Sequence, residues 1–435
     1  MNSLLIRAED KNRWERRSTI VPDDLKEIIK KTGAESFIQK SPKRFFPLEE
    51  YLKAGAKETD NMAQGEVVFG VKEIPAEKII DNKTYLFFSH TIKGQAENVP
   101  LLKKILQSNA TLIDYEKITD ENGRRLVYFG PFAGDAGAID ILWLMGRYWA
   151  HKGIANPFEK VKQALEYRSV AEAKEKLSKI GREISKKGLP SEIAPLVVGI
   201  LGYGNVSKGA QGIFNALPVE YLPAEELEPF TRKGRYDKHK IYIVVFEERH
   251  IVKRKDGSDF ELKDYFSHPE KYAGDFEKYL PYLSLIVNAV YWEERYPKFV
   301  TWAALERLYK KERNPKLCGI ADITCDVGGS VECNVKTTDS GKPAYLVNPL
   351  THTVAEGIDG EGIVLLAVDN LPAELAADSS TFFSNLLAPF VPDILKTDFS
   401  QSFEKLNLLP EIKRAVIAHQ GALTPAFEYL EKFIK

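Results

Sequence analysis

The chain alternates short apolar runs with segments in which apolar residues recur every three or four positions. Runs at 3–8, 37–38, 66–71, 85–89 and 111–115 read as strands. Between them, 23–32 reads as a helix with Leu25, Ile28 and Ile29 on one face, and 100–108 as another. Pro22 and the acidic pair Asp23-Asp24 suit the start of the first helix, and Gly33 its end. Asn122-Gly123 signals a hairpin turn leading into 125–129. A long apolar helix is predicted over 134–150, with Ile139, Leu142, Trp143 and Met145, and a more charged one over 170–187, stopped by Gly188-Leu189-Pro190. A second series of strands follows at 196–201, 219–222, 241–246, 283–290, 317–323 and 363–368. The charged stretch 247–257 reads as a surface loop, and from Pro372 onward only helices are expected. Strands alternating with helices in this way predict α/β architecture with parallel sheets.

One stretch adds chemistry to this pattern. The run at 196–201 stops at Gly202-Tyr203-Gly204 and continues as a helix through Gln211, Ile213, Phe214 and Leu217. A strand, a glycine turn and a helix N-terminus form a cradle for a pyrophosphate, because glycine lets the backbone approach and the helix end favours negative charge. The third glycine of the usual G-x-G-x-x-G is Ser207 here, with Gly209 two residues later. A ribose-binding acid is expected roughly 20 residues on. Glu220 lies near that mark, mid-strand, followed by Glu225 and Glu226, while Arg232, Lys233 and Arg235 further on suit a 2′-phosphate. Spacing leaves NADH and NADPH open.

Composition narrows the class. Lys and Arg (61) nearly balance Asp and Glu (62), so no basic excess points to nucleic acid or anionic lipid. No apolar run reaches the roughly 18 residues of a membrane span. The early strand at 3–8 leaves no room for a targeting segment, so a cytoplasmic protein is expected, or a mitochondrial matrix one if a presequence has been removed. The three cysteines, Cys318, Cys325 and Cys333, fit neither a disulfide framework nor a zinc pattern and read as small buried residues. No histidine spacing suggests a metal, and none is expected.

Two early strands end in a titratable residue, Lys72 and His90. Ligands of open α/β sheets gather beyond the carboxyl ends of strands, so both are candidates to face one crevice. A lysine beside Val71, Ile74 and Pro75 would be partly desolvated and brought toward a useful proton affinity, the alternative being a side chain that snorkels to water. A histidine exchanges protons near neutral pH, the alternative being a satisfied core residue. Arg17 and Arg124 are each either a carboxylate clamp or a surface ion pair. Asp322, at the end of 317–323, can orient a ribose, an amine or a base, and Asp326 reads as a turn cap before Gly328-Gly329.

Several segments converge on a family: ERRSTIVP, VVFGVKEIP, YLFFSHTIKGQAEN, LIDYEKI, YFGPFAGDAGAI, GYGNVSKGAQGIFN, VNAVYWEERYP, ADITCDVGGSVE and VDNLPAELAADSSTFF. The sequence resembles the saccharopine dehydrogenase and alanine dehydrogenase family, and within it the lysine–2-oxoglutarate reductase part of aminoadipic semialdehyde synthase. The resemblance implies two Rossmann-like domains, the first (1–135) completed by C-terminal helices (385–435) and the second (136–384) binding a dinucleotide. It implies Lys72 and His90 as an acid–base pair; Arg17, Gln95, Phe129, Asn288 and Tyr291 near the substrate; and Arg124, Gly202, Gly204, Asn205, Asp322 and Thr324 near the cofactor. It implies NADPH, with NADH as the alternative, and L-lysine with 2-oxoglutarate as substrates joined to saccharopine. Partners implied are further copies of the chain or a separate saccharopine-oxidising enzyme. The competing expectations are an alanine-dehydrogenase-like deaminase and a catalytically silent nucleotide-binding module.

Overall fold

The apolar runs of the first 115 residues pair into one sheet. In a computed structural model describing residues 1–312 and 315–435, the strands are β1 (Leu4–Ile6), β2 (Ser36–Gln39), β3 (Lys57–Thr59), β4 (Val67–Phe69), β5 (Thr84–Phe87) and β6 (Thr111–Asp114). They lie in the order β3-β2-β1-β4-β5-β6, all parallel. Alternation along the strands supplies two apolar faces. Leu4, Ile6, Val67, Phe69 and Leu86 pack with Leu25 and Ile28 of α1 (Pro22–Thr32) and with the buried Tyr51 of the short α2 (Leu48–Lys53). Leu5, Val68, Tyr85 and Phe87 pack with Leu101, Leu102 and Ile105 of α3 (Val99–Gln107).

Two compact units make up the chain: Met1–Gly130 with Ala376–Lys435, and Pro131–Leu375. The C-terminal segment therefore returns to the first unit, and not with helices alone. Val416–His419 adds antiparallel to β6, and Ala422–Leu423 pairs with it. The four-residue run VIAH is too short for periodicity to separate strand from helix. The turn at Asn122-Gly123 forms, but 125–129 is not a strand; a single bridge, Thr119 to Arg125, is all the ladder there.

The second unit begins with α4 (Phe132–His151) and α5 (Val170–Lys187), followed by β7 (Leu196–Leu201), α6 (Asn205–Phe214), β8 (Val219–Tyr221) and β9 (Ile241–Phe246). The expected surface loop at 247–257 instead holds a helical turn and β10 (Val252–Arg254), paired antiparallel with β11 (Tyr272–Gly274). Then come β12 (Leu285–Asn288), β13 (Gly319–Asp322), β14 (Ala344–Asn348), β15 (Thr353–Glu356) and β16 (Ile363–Leu366). The sheet order is β15-β14-β16-β13-β12-β7-β9-β8, with β14 antiparallel to both β15 and β16 and the other neighbours parallel. β8 is thus an edge strand, and β9, not β8, lies beside β7.

The α4–α6 contact explains the missing third glycine. A Cβ on Gly209 would lie 2.3 Å from Pro131 O, and one on Gly134 would overlap Val206 O. Helix α6 makes its close approach to α4 through these two glycines, while Ser207 is buried and accepts from Gln211 Nε2 at 3.0 Å. Among the described residues, no helix is long and apolar enough to cross a membrane. Of the cysteines, Cys333 is buried; Cys318 and Cys325 are only half-buried.

Candidate active site

In the first unit the strand order reverses between β1 and β4. The crevice beyond the carboxyl ends at such a reversal is where ligands of open sheets bind. The loop after β1 brings Glu9, Glu15 and Arg17 there, the end of β4 brings Lys72 and Glu73, and the end of β5 brings His90. β4 and β5 pair in register, Phe69 opposite Leu86, and the Phe88 N–H continues the ladder to Val71 O at 3.0 Å. Lys72 and His90 therefore leave neighbouring strands at the same end.

His90 Nδ1 is 2.5 Å from Glu73 Oε1. Burial works against ionisation of Glu73, but the hydrogen bond and charge of His90, the Glu73 backbone N–H and Lys11 outweigh it and hold the carboxyl down to about 2. An ionised Glu73 only accepts, so Nδ1 is the donor in this contact and Nε2 is the ring atom it leaves for another partner. Glu73 Oε2 is buried without a hydrogen-bond partner, as is Gln95 Oε1 just before the turn Ala96–Asn98. Two unpaired buried acceptors beside a strand-end histidine suit a ligand carrying N–H or O–H donors.

Arg17 is not a surface residue. It is buried and gives two parallel bonds to Glu15, Nε to Oε1 at 2.8 Å and Nη2 to Oε2 at 2.7 Å. Its guanidinium stacks 4.0 Å from the centroid of Phe129, which itself stacks on Phe383 at 4.3 Å. Glu9 joins this group to Lys72: its oxygens accept the Val71 and Lys72 N–H groups, and burial pushes its carboxyl up while Arg7 pulls it down. Arg124 is placed elsewhere, exposed on the turn and paired with Asp120 at 2.6 Å.

In the second unit the order reverses between β7 and β12. Gly202 has φ +92°, donates its N–H to Phe246 O at 2.9 Å, and would set a Cβ 3.1 Å from Ala289 O. Gly204 caps α6, and a Cβ there would meet nothing within 4 Å. The open space over Gly204, with Asn205 opening the helix, is the room a pyrophosphate needs.

Asn288 and Asp322 end β12 and β13 side by side, both buried. Asp322 Oδ1 accepts from Asn288 Nδ2 and Thr324 Oγ1, each at 2.8 Å, and Oδ2 from Asn334 Nδ2 at 2.8 Å. These side chains are engaged in anchoring the loop that follows β13. Tyr291 points outward, 70% exposed, its hydroxyl on Glu293 at 2.5 Å. Glu220 lies in edge strand β8 and pairs with Lys240 at 2.7 Å. The acid at the end of the strand beside β7 is Glu247, which the sequence reading missed because β8 follows β7 directly in the chain. Glu73 and Glu9 were missed as well, although Glu73 directly follows a strand-end lysine. Among the described residues, no three His, Cys, Asp or Glu side chains group as a metal site.

Residues 5–136 match the model of the alanine dehydrogenase/PNT N-terminal domain, and 252–426 that of the C-terminal domain. The chain belongs to the alanine dehydrogenase/PNT family. Within curated proteins, this family member is 36% identical over 442 residues to alpha-aminoadipic semialdehyde synthase, mitochondrial, of Bos taurus, covering 99% of this chain and 47% of that one. The Arabidopsis thaliana alpha-aminoadipic semialdehyde synthase is also 36% identical, over 99% of this chain and 41% of its own. The chain thus spans about half the length of these relatives. Saccharopine dehydrogenase [NAD(+), L-lysine-forming] of Candida glabrata is 26% identical over 89% of this chain and 90% of its own. Among solved structures, L-alanine dehydrogenase superposes with a TM-score of 0.61 at 16% identity, over 99% of this chain and 100% of its own, which shows a shared fold.

Proposed function

We propose that this chain is a lysine–2-oxoglutarate reductase, joining the side-chain amine of L-lysine to the ketone of 2-oxoglutarate and reducing the resulting imine to saccharopine, or running the reverse. The observation that carries this reading is the placing of Lys72 and His90 at adjacent parallel strand ends, with His90 tied to an ionised Glu73. Condensation needs a base and an acid: the attacking ammonium must lose a proton, and the carbinolamine hydroxyl must gain one to leave as water. We assign the first task to His90, because Glu73 stabilises the imidazolium that results, and the second to Lys72. Gln95 and Glu73 would offer acceptors to the amine side of the substrates, and Arg17 would attract their carboxylates. Holding both substrates at one strand-order reversal replaces a three-body encounter.

The nicotinamide dinucleotide would be held by Gly202, Gly204 and the first turn of α6, and supplies the hydride when bound. NADPH is the form the resemblance favours. The end of β9 carries mixed charge: Glu247 favours a free 2′-hydroxyl and Arg249, paired with it at 3.0 Å, a 2′-phosphate. L-lysine and 2-oxoglutarate are therefore to be assayed with each nucleotide, alongside pyruvate and ammonia. Lysine-dependent oxidation of the nucleotide is the expected result. Turnover of pyruvate and ammonia in its place would assign an alanine-dehydrogenase-like activity, and nucleotide binding without any turnover a silent module.

A further inference from the structure

Two buried carboxylates outside the acid–base pair are committed to the backbone beside it. Glu9 is 7% exposed; its Oε1 accepts the Val71 N–H at 2.7 Å and its Oε2 the Lys72 N–H at 3.0 Å. Asp114, fully buried at the end of β6, treats the other strand end alike. Its Oδ2 accepts the Ser89 N–H at 3.0 Å and also the Ser89 hydroxyl, and its Oδ1 accepts the Glu116 N–H at 2.8 Å. The Ser89 and Thr91 hydroxyls are 2.8 Å apart, so the residues on both sides of His90 are tied to one carboxylate. His90 itself has φ +49°, a left-handed conformation that a non-glycine residue keeps only when its surroundings impose it. Asn98 Nδ2 donates to its carbonyl at 3.2 Å.

The choice of carboxylates matters. An ionised carboxylate only accepts, and the hydrogen bonds that Glu9 and Asp114 take here all come from donors, with Glu15 and Glu116 adding like charge nearby. An amide of the same shape would turn an NH2 group toward a backbone N–H. Burying an anion is costly, and burial pushes both groups up. A turn that merely had to close could use a neutral cap.

We propose that Glu9 and Asp114 are positioning residues, each holding through backbone N–H groups the strand end from which one acid–base side chain projects: Glu9 for Lys72, Asp114 for His90. The proposal rests on the reading of Lys72 and His90 given above. Glu9→Gln and Asp114→Asn, with Glu9→Asp as the variant that keeps the charge, test it by three measurements on the full chain: amide hydrogen exchange, steady-state kinetics and melting temperature. Glu9→Gln should speed exchange at Val71 and Lys72, and Asp114→Asn at Ser89 to Thr91. Each should lower kcat about 10²-fold, the cost of a displacement near 1 Å, with the nucleotide KM unchanged, and Glu9→Asp should recover part of the loss. Unchanged exchange overturns the proposal. So does faster exchange with unchanged kcat, or a kcat loss in both variants that only tracks loss of the cooperative melt. A wild-type chain inert toward lysine and 2-oxoglutarate, with the exchange differences present, sinks the assigned reaction and leaves the two clamps standing. An active wild type with indistinguishable variants sinks the clamps alone.

Discussion

Replacing Glu73 by glutamine keeps the side chain's size and removes its charge. In the native protein the carboxyl is drawn from 4.5 to about 2, against the opposing effect of burial, chiefly by His90. At roughly 1.4 kcal/mol per tenfold, that difference bounds the preference for the ionised form at about 3 kcal/mol. A single hydrogen bond to a charged group accounts for about 1.5–3 kcal/mol. The amide oxygen of Gln can still accept from Nδ1, but the imidazolium formed when His90 takes a proton loses its counterion. The kcat of Glu73→Gln should therefore fall about 10- to 100-fold. The nucleotide KM should not change, because nucleotide contacts are assigned to the second unit. Stability has its own sign. The folded value lies below the unfolded one, so the stabilisation from Glu73 is full above about 4.5 and is lost as pH falls through about 2. The melting-temperature gap between wild type and variant should be open at pH 7 and narrow below 4.5. The assay is nucleotide oxidation at several pH values with saturating lysine and 2-oxoglutarate. A kcat within twofold of wild type would refute the assignment of His90 as an anion-supported base.

Lys72→Met and His90→Gln should each lower turnover by about 10²–10⁴ while nucleotide binding, read by fluorescence titration, persists; near-normal rates in both would remove them from the chemistry. Arg17→Ala removes both guanidinium bonds to Glu15, whose side chain is fully buried, and breaking a buried pair costs about 3–5 kcal/mol. Its melting temperature should fall by the order of 10 °C, and a fall under 2 °C would show that Glu15 finds another partner. Gly204→Val should weaken nucleotide binding at least tenfold, an order-of-magnitude expectation for a side chain placed where the backbone approaches a phosphate, yet leave the ligand-free melting temperature within about 2 °C because among the described residues nothing lies within 4 Å of that Cβ. Unaltered binding would place the pyrophosphate away from this turn.

Much of this was legible in the pattern of apolar residues, because strands buried on both faces read as continuous apolar runs. β7 and β9 occupy the runs Leu196–Leu201 and Ile241–Phe246 from end to end. What escaped has physical causes. β8 precedes β9 in sequence, yet the chain places β9 against β7, so a ribose acid counted along the chain falls on an edge strand. The short strand Val416–His419 owes its state to β6, which no local propensity reports. Arg17 carries the charge of a surface residue, and its bidentate Glu15 and the Phe129 ring help make its burial tolerable. Glu9 and Val71 are 62 positions apart, a separation at which a carboxylate and the N–H it holds leave no joint signature.

The two strand-order reversals use their side chains in opposite ways, and the difference follows from what each has to recognise. At the end of β7 the recognising groups are backbone: glycines that bend and bring amides close, then a helix N-terminus. Side chains there would obstruct, so the neighbouring strand ends turn theirs inward, with Asp322 taking donors from Asn288, Thr324 and Asn334 and thereby fixing the loop beyond β13. Asp322, expected near the cofactor, has both carboxylate oxygens engaged in anchoring this loop. The reaction proposed for the ends of β4 and β5 would need titratable side chains, which backbone cannot supply. The burial there falls on the groups around Lys72 and His90: Glu9 and Asp114 accept the backbone N–H groups of Lys72 and Ser89, and Glu73 meets His90 Nδ1.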